Sequence, residues 1–122
     1  MSTRDEVEAF NADFAAALAR QDAAHLASLY TADARLHFPG RPMIQGREAI
    51  AAMWTEAMES QPASTQFEAG DILEAGNLVV DIGRFVTPTG SGKYVVVYER
   101  DAHGQLRLAV DSASGDGPAL GG

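Results

Sequence analysis

Apolar positions follow two different rhythms along this chain. Up to about residue 60 they recur at three- and four-residue steps, and from about residue 65 they alternate. Val7, Phe10, Phe14 and Leu18 place one apolar stripe on a first helix, while Arg4, Glu8, Asn11 and Arg20 fall mostly elsewhere. Thr3, with Glu6 three residues later, fits a capping box, in which hydroxyl and carboxylate each satisfy an orphan N–H of the first turn. Asp22 can cap a second, short helix whose Leu26, Leu29 and Tyr30 share a face, closed by "TADA" at 31–34. "ARLHF" reads as a short strand stopped by Pro39 and Gly40, because proline lacks the ladder donor and glycine favours a turn. "GREAIAAMWTEAMES" restarts a helix, with Ile50, Met53, Trp54, Ala57 and Met58 on its buried side.

The second half predicts strands. "TQFEAGDILEA" and "NLVVDIGRFVT" flank a Gly76-Asn77 turn signal, and "PTGSG" precedes "KYVVVYER". If "DAHG" is a four-residue hairpin loop, Arg100 stands opposite Gln105 and the pairing runs back to Tyr94 with Asp111. Side-chain alternation then gives Val95, Val97, Leu106, Leu108 and Val110 one aliphatic face. Tyr94, Val96, Tyr98, Arg107, Ala109 and Asp111 share the other, mixed face. The last strand ends near Ser114, and the glycine-rich 115–122 reads as a flexible tail, leaving one domain over 1–114. Three helices in the N-terminal half followed by a run of strands is an α+β order, with a mostly antiparallel sheet curling around the helices.

The helices can cover only one sheet face. If they stand over the mixed face with a gap, that face lines a ligand pocket, and the aliphatic face needs a partner, most simply a second copy of the chain. If they cover the aliphatic face instead, the mixed face is wet and Asp111 is a surface charge. Periodicity leaves both arrangements open.

Composition narrows the function. The 122 residues suit one domain, and 9 Lys plus Arg against 17 Asp plus Glu give a formal charge of -8, which repels phosphate backbones and anionic lipid. Nucleic acid and membrane are therefore not expected partners. Cysteine is absent, which excludes disulfides and thiolate chemistry. The acidic start "MSTRDEVEAF" is unlike a secretory signal and no apolar run is long enough to span a bilayer, so a cytoplasmic setting is expected. No His, Asp and Glu set has metal-ligand spacing, and no nucleophile-elbow, phosphate-loop or dinucleotide motif occurs; neither metal nor cofactor is expected. "TGSGK" precedes a strand rather than opening a helix, and reads as a turn.

"LASLYTADARLHFPGRPMIQGREAIAAMW", followed by "DIGRFVTPTGSGKYVVVYERDAHGQLRLAVDSAS", resembles the SnoaL-like and ketosteroid-isomerase-like branch of the nuclear transport factor 2 superfamily. The resemblance extends over roughly residues 5–114. It implies a cone: helices close one side of a strongly curved sheet around an apolar cavity, and members commonly dimerise. The mixed face then lines the pocket through Tyr94, Val96 and Ala109, with Phe14, Leu18, Tyr30, Leu36 and Phe38 beside it and Met53, Trp54 and Met58 as its helical wall. A homodimer would form through Val95, Val97, Leu106, Leu108 and Val110.

Steroid-isomerase chemistry does not carry over. The base, the tyrosine donor and the protonated acid of those enzymes match Phe38, Phe14 and Val96, all apolar, which leaves nothing to move a proton from carbon or steady an enolate. Polyketide cyclases of the branch use a differently placed group, for which Asp111 is the nearest candidate, with Tyr98 as a polar orienting residue. Apolar neighbours would raise the Asp111 pKa toward a useful value; the plainer reading is an ion pair with Arg107 or a place at the open rim. Asp81 and Arg84 have opposite phase, so only one can face the pocket, and Gly83 would relieve crowding where the sheet bends sharply. His37 should point outward, and His25 and His103 toward solvent. The expected function is binding of a small, mostly apolar metabolite, with cofactor-free acid/base chemistry of the cyclisation, isomerisation or dehydration type at Asp111 and Tyr98. The alternative is a non-catalytic ligand-binding or accessory dimerisation module.

Overall fold

The computed structural model describes residues 2–60 and 65–116. The chain runs α1 (Thr3–Ala19), α2 (Ala23–Ser28), β1 (Tyr30–His37), β2 (Ile44–Gln45), α3 (Arg47–Ser60), β3 (Gln66–Ala75), β4 (Leu78–Thr87), β5 (Gly90–Arg100) and β6 (Leu106–Gly115). The strands form one curved, unclosed sheet in the order β2-β1-β6-β5-β4-β3. Among the described residues only the β1–β6 pair is parallel and the other neighbours are antiparallel, as the α+β reading predicts.

Local chemistry sets the helix ends. The α1 cap is Ser2, which accepts the Asp5 N–H at 3.1 Å while Asp5 accepts the Ser2 N–H at 3.2 Å. The box thus sits one residue earlier than Thr3 and Glu6 suggest. Thr3 instead donates to Glu74, and Glu6 receives Arg100 at 2.6 Å, so both tie α1 to the sheet. At the other end Gln21 takes a left-handed φ of 57°, with the Asp22 N–H donating to the Ala17 carbonyl at 2.9 Å, a Schellman closure made without glycine. Asp22 then caps α2 by accepting the His25 N–H at 3.0 Å. "TADA" is strand and not the end of that helix: the Leu29 carbonyl accepts the Leu108 N–H at 2.8 Å and draws the chain onto the sheet from Tyr30 onward.

The β5–β6 hairpin departs from the expected register. Arg100 pairs with Leu106, so five residues, 101–105, make the loop. The Asp101 side chain nucleates it by accepting the His103 and Gln105 N–H groups, and Gly104 supplies a φ of 77°. A β-bulge at Ala109 then adds a second offset: Tyr98 pairs with Leu108, but Val97 pairs with Val110 and Val96 with Asp111. Leu106 and Leu108 consequently turn inward and are buried, whereas the dimer face drawn from the sequence had them outward. Val95, Val97 and Val110 remain on the outer face. Ala109 leaves the inner face, and Arg107 faces away from Asp111 toward Asp101, 3.5 Å away. Gly115 closes β6, and Asp116 bonds Ser91 through both its N–H and its side chain, so the boundary after residue 114 cuts the last strand short; 117–122 of the expected tail lie outside the described residues.

The core lies between the helices and the concave sheet face, where Val7, Ala17, Leu26, Leu36 and Ile50 are fully buried. Among the described residues no helix is long and apolar enough to cross a membrane.

Candidate functional site

Above β4, β5 and β6 the helices do not close down on the sheet, and a cavity of about 610 Å³ remains. One wall comes from α1, whose Phe10, Asn11, Phe14 and Leu18 repeat at helical spacing, and another from Trp54, Ala57 and Met58 of α3. Phe38 and Phe67 fill the gaps between helix and sheet, the latter edge-on to Phe14 at 5.3 Å. The floor is strand residues of one phase: Phe85 on β4, Tyr94, Val96 and Tyr98 on β5, Leu108, Asp111 and Ala113 on β6. Pro39, Pro88, Thr89 and Gly115 form an exposed rim. Such a space is apolar by composition and polar at a few points, the usual form of a small-molecule site.

Asp111 is the one carboxyl that lines it among the described residues. The residue is only 7% exposed, and Oδ2 accepts the Tyr30 hydroxyl at 2.6 Å. Oδ1 has no partner among the described residues and is left to the cavity. Burial raises its pKa from 3.8 to about 6, and the Tyr30 hydrogen bond, which favours the carboxylate, pulls the other way. Tyr30 also accepts the Trp54 indole N–H at 3.3 Å, so the hydroxyl is oriented from both sides. Burial first, and then Asp111, lifts the Tyr30 pKa far above its ordinary value; it stays a neutral donor.

A second tyrosine–aspartate pair is arranged the other way round. Tyr94 borders the cavity and donates to Asp81 behind it at 2.6 Å, while Asp81 Oδ1 accepts the Gly70 N–H at 2.9 Å. Asp81 is 0% exposed, and Arg84 stands on the outer side near Glu68, which settles which of the two turns inward. Gly83 lies directly opposite Tyr94, and a Cβ there would meet the Tyr94 hydroxyl and the Glu68 carbonyl at 2.5 Å. The Tyr98 hydroxyl, by contrast, has no partner among the described residues, and burial raises its pKa well above the usual phenol value.

Of the residues singled out from the sequence, Phe14, Leu18, Phe38, Trp54, Met58, Tyr94, Val96, Tyr98 and Asp111 border the cavity. Tyr30, Leu36 and Met53 are buried behind its wall, and Ala109 is carried off by the bulge. Asn11 was missed, although its spacing shows it: Val7, Asn11, Phe14 and Leu18 all lie on the buried face of α1. Phe67 on the edge strand β3 and Phe85 on β4 beside it were missed because alternation alone does not say which phase of a strand faces in. His37 is exposed, and His25 bonds Asp13 at 2.9 Å on the surface. Among the described residues no three His, Asp or Glu side chains gather as a metal centre would require.

A chain with this geometry has many structural counterparts. A ketosteroid isomerase-like protein from Erwinia carotovora atroseptica superposes with a TM-score of 0.78 at 18% identity, over 91% of this chain and 94% of that one. A protein from Catenulispora acidiphila, solved in complex with S-DNPA, gives 0.75 at 24% identity over 93% and 92%. A proposed dehydratase of the NTF2-like family from Streptomyces avermitilis gives 0.70 at 21% identity over 91% and 94%. No curated protein matches the sequence. The SnoaL-like domain matches residues 11–109, four fifths of the length, and the chain belongs to that family.

Proposed function

We propose that this protein binds a small, mostly apolar molecule in the cavity and catalyses cofactor-free proton transfer on it, of the cyclisation, isomerisation or dehydration type. The observation that carries this reading is Asp111: a carboxyl in an apolar wall, oriented by Tyr30 through one oxygen and open to the cavity through the other. A pKa of about 6 lets it take a proton from a C–H or O–H acid and return it to a departing or newly formed centre near neutral pH. Tyr98, unpaired and two residues from Val96, the cross-strand partner of Asp111, is placed to donate to a ligand oxygen on which negative charge develops. Tyr30 acts through Asp111 and is a positioning residue.

Native mass spectrometry of the purified chain should retain a small molecule, and its conversion is then followed with wild type and Asp111→Asn. Asp111→Asn keeps an acceptor for Tyr30 and should retain binding while losing at least about 100-fold in turnover, the scale of one general acid/base group. Unchanged turnover removes Asp111 from the mechanism, and binding without turnover in the wild type makes the protein a carrier.

We also propose that two copies pair through their outer sheet faces. Val95 is 47% and Ile82 44% exposed, and they sit opposite one another on β5 and β4 beside Val97 and Val110. An aliphatic strip of this kind on a strand face is what a second identical sheet would cover.

A further inference from the structure

The cavity has a second polar point that the acid/base reading does not use. Asp81, Val96 and Asp111 stand in one row across β4, β5 and β6, so the two carboxyls flank the floor. Only Asp111 reaches the cavity; Asp81 is covered by Tyr94. Tyr94 has a single hydroxyl proton, and the 2.6 Å contact commits it to Asp81. The Glu68 carbonyl, 3.1 Å from the same hydroxyl, is an acceptor and receives nothing further. The Tyr94 oxygen can therefore only accept from Asn11, whose Nδ2 lies 3.4 Å away. That orders the amide: Nδ2 toward Tyr94, Oδ1 toward the cavity. Asn11 is 8% exposed, lines the cavity, and has no partner for Oδ1 among the described residues. Among the described residues no side-chain N or O atom is both sealed from solvent and without a partner, so Oδ1 is open to the cavity and free to accept a ligand O–H.

We infer that Asn11, oriented by Tyr94 and Asp81, is a specificity residue for a neutral, mostly apolar ligand bearing a hydroxyl group, whose O–H donates to the Asn11 amide oxygen. The inference rests on the reading that the cavity holds a small molecule, and adds which one. An anionic ligand is disfavoured by the lining, where no Lys, Arg or His occurs among the described residues to meet a carboxylate or phosphate. An ether or ketone oxygen at the same point would face lone pairs instead of a donor.

The test is calorimetric titration of the full chain with 2-naphthol, uncharged near neutral pH, and 2-methoxynaphthalene, which has the same ring system without the donor. Wild type should bind the naphthol about tenfold more tightly, the effect of one net hydrogen bond. Asn11→Leu should bring the ratio near one, and so should Asn11→Ala, which creates a different packing change at the same place. Equal binding of the two probes, preference for the ether, or a preference kept in both Asn11 variants overturns the inference and leaves the cavity a ligand site. Failure of both probes to bind wild type overturns the cavity reading and this inference together.

Discussion

Burial lifts the Asp111 carboxyl to a pKa of about 6 in the folded chain against 3.8 for a free side chain, so the folded state holds this proton more tightly than the unfolded state. The stabilisation is therefore complete below about pH 4 and is lost as pH rises through about 6, a change on the order of 3 kcal/mol. Asp111→Asn has no such proton. Wild-type stability relative to that variant should fall by this amount between acid and mildly alkaline pH in urea unfolding. A constant difference would mean that Asp111 titrates like an exposed carboxyl. Asp22, Asp101 and Asp116, whose values are shifted downward by hydrogen bonds and nearby cations, are present in both proteins and cancel. Tyr30→Phe removes a bond that favours the carboxylate, so the Asp111 midpoint should move above about 6 in a carboxyl NMR titration; an unmoved or lowered midpoint contradicts the assignment. The inward aim of Asp111 was legible for an instructive reason. One residue more in the loop and one more in the bulge cancel in a pattern of period two, so the acid keeps its face although every pairing partner assumed for it is wrong. Leu106 and Leu108 lie between the two offsets, see only the first, and change sides.

Elements carry a different kind of information. The caps of α1 and α2 and most strand ends of the second half were readable to within about a residue, because capping and turn chemistry act over three or four positions; β5 is the exception, starting at Gly90 where "PTGSG" reads as loop up to Lys93. The two-residue β2 has no periodicity to read and was not foreseen. Gly83 was expected to relieve crowding, and its cross-strand neighbour explains why: the Tyr94 ring lies over it on the way to Asp81. Gly83→Ala should destabilise the fold by roughly 1–3 kcal/mol, since the sheet backbone on one side and a hydrogen-bonded ring on the other leave the methyl group nowhere to go. Gly90→Ala, on the same sheet with nothing within 4 Å of a new Cβ, should stay within about 0.5 kcal/mol of wild type. Thermal unfolding of both variants checks the pair; equal effects would mean that the Tyr94–Asp81 contact does not constrain β4.

At the scale of the molecule, element order predicted the fold class and the family resemblance predicted the curvature, but the size of the cavity was not readable. It depends on how far α1 and α3 stand from the sheet, which is set by aromatic contacts distant in sequence, such as Phe14 with Trp54 at 5.8 Å and Phe10 with Tyr98 at 4.9 Å. The outer face makes its own prediction. Ile82→Lys combined with Val95→Lys should give a folded monomer in sedimentation experiments in which wild type is expected to run as a dimer at micromolar concentration. A monomeric wild type would refute pairing through this face. The bulge at Ala109 has a wider consequence. Because one inserted residue decides which side chains β6 turns inward, a homologue can exchange its interior chemistry for its exterior by gaining or losing a codon there, with no substitution at all. Alignments at the low identities typical of such relatives will misplace the acid unless they allow a gap at that point.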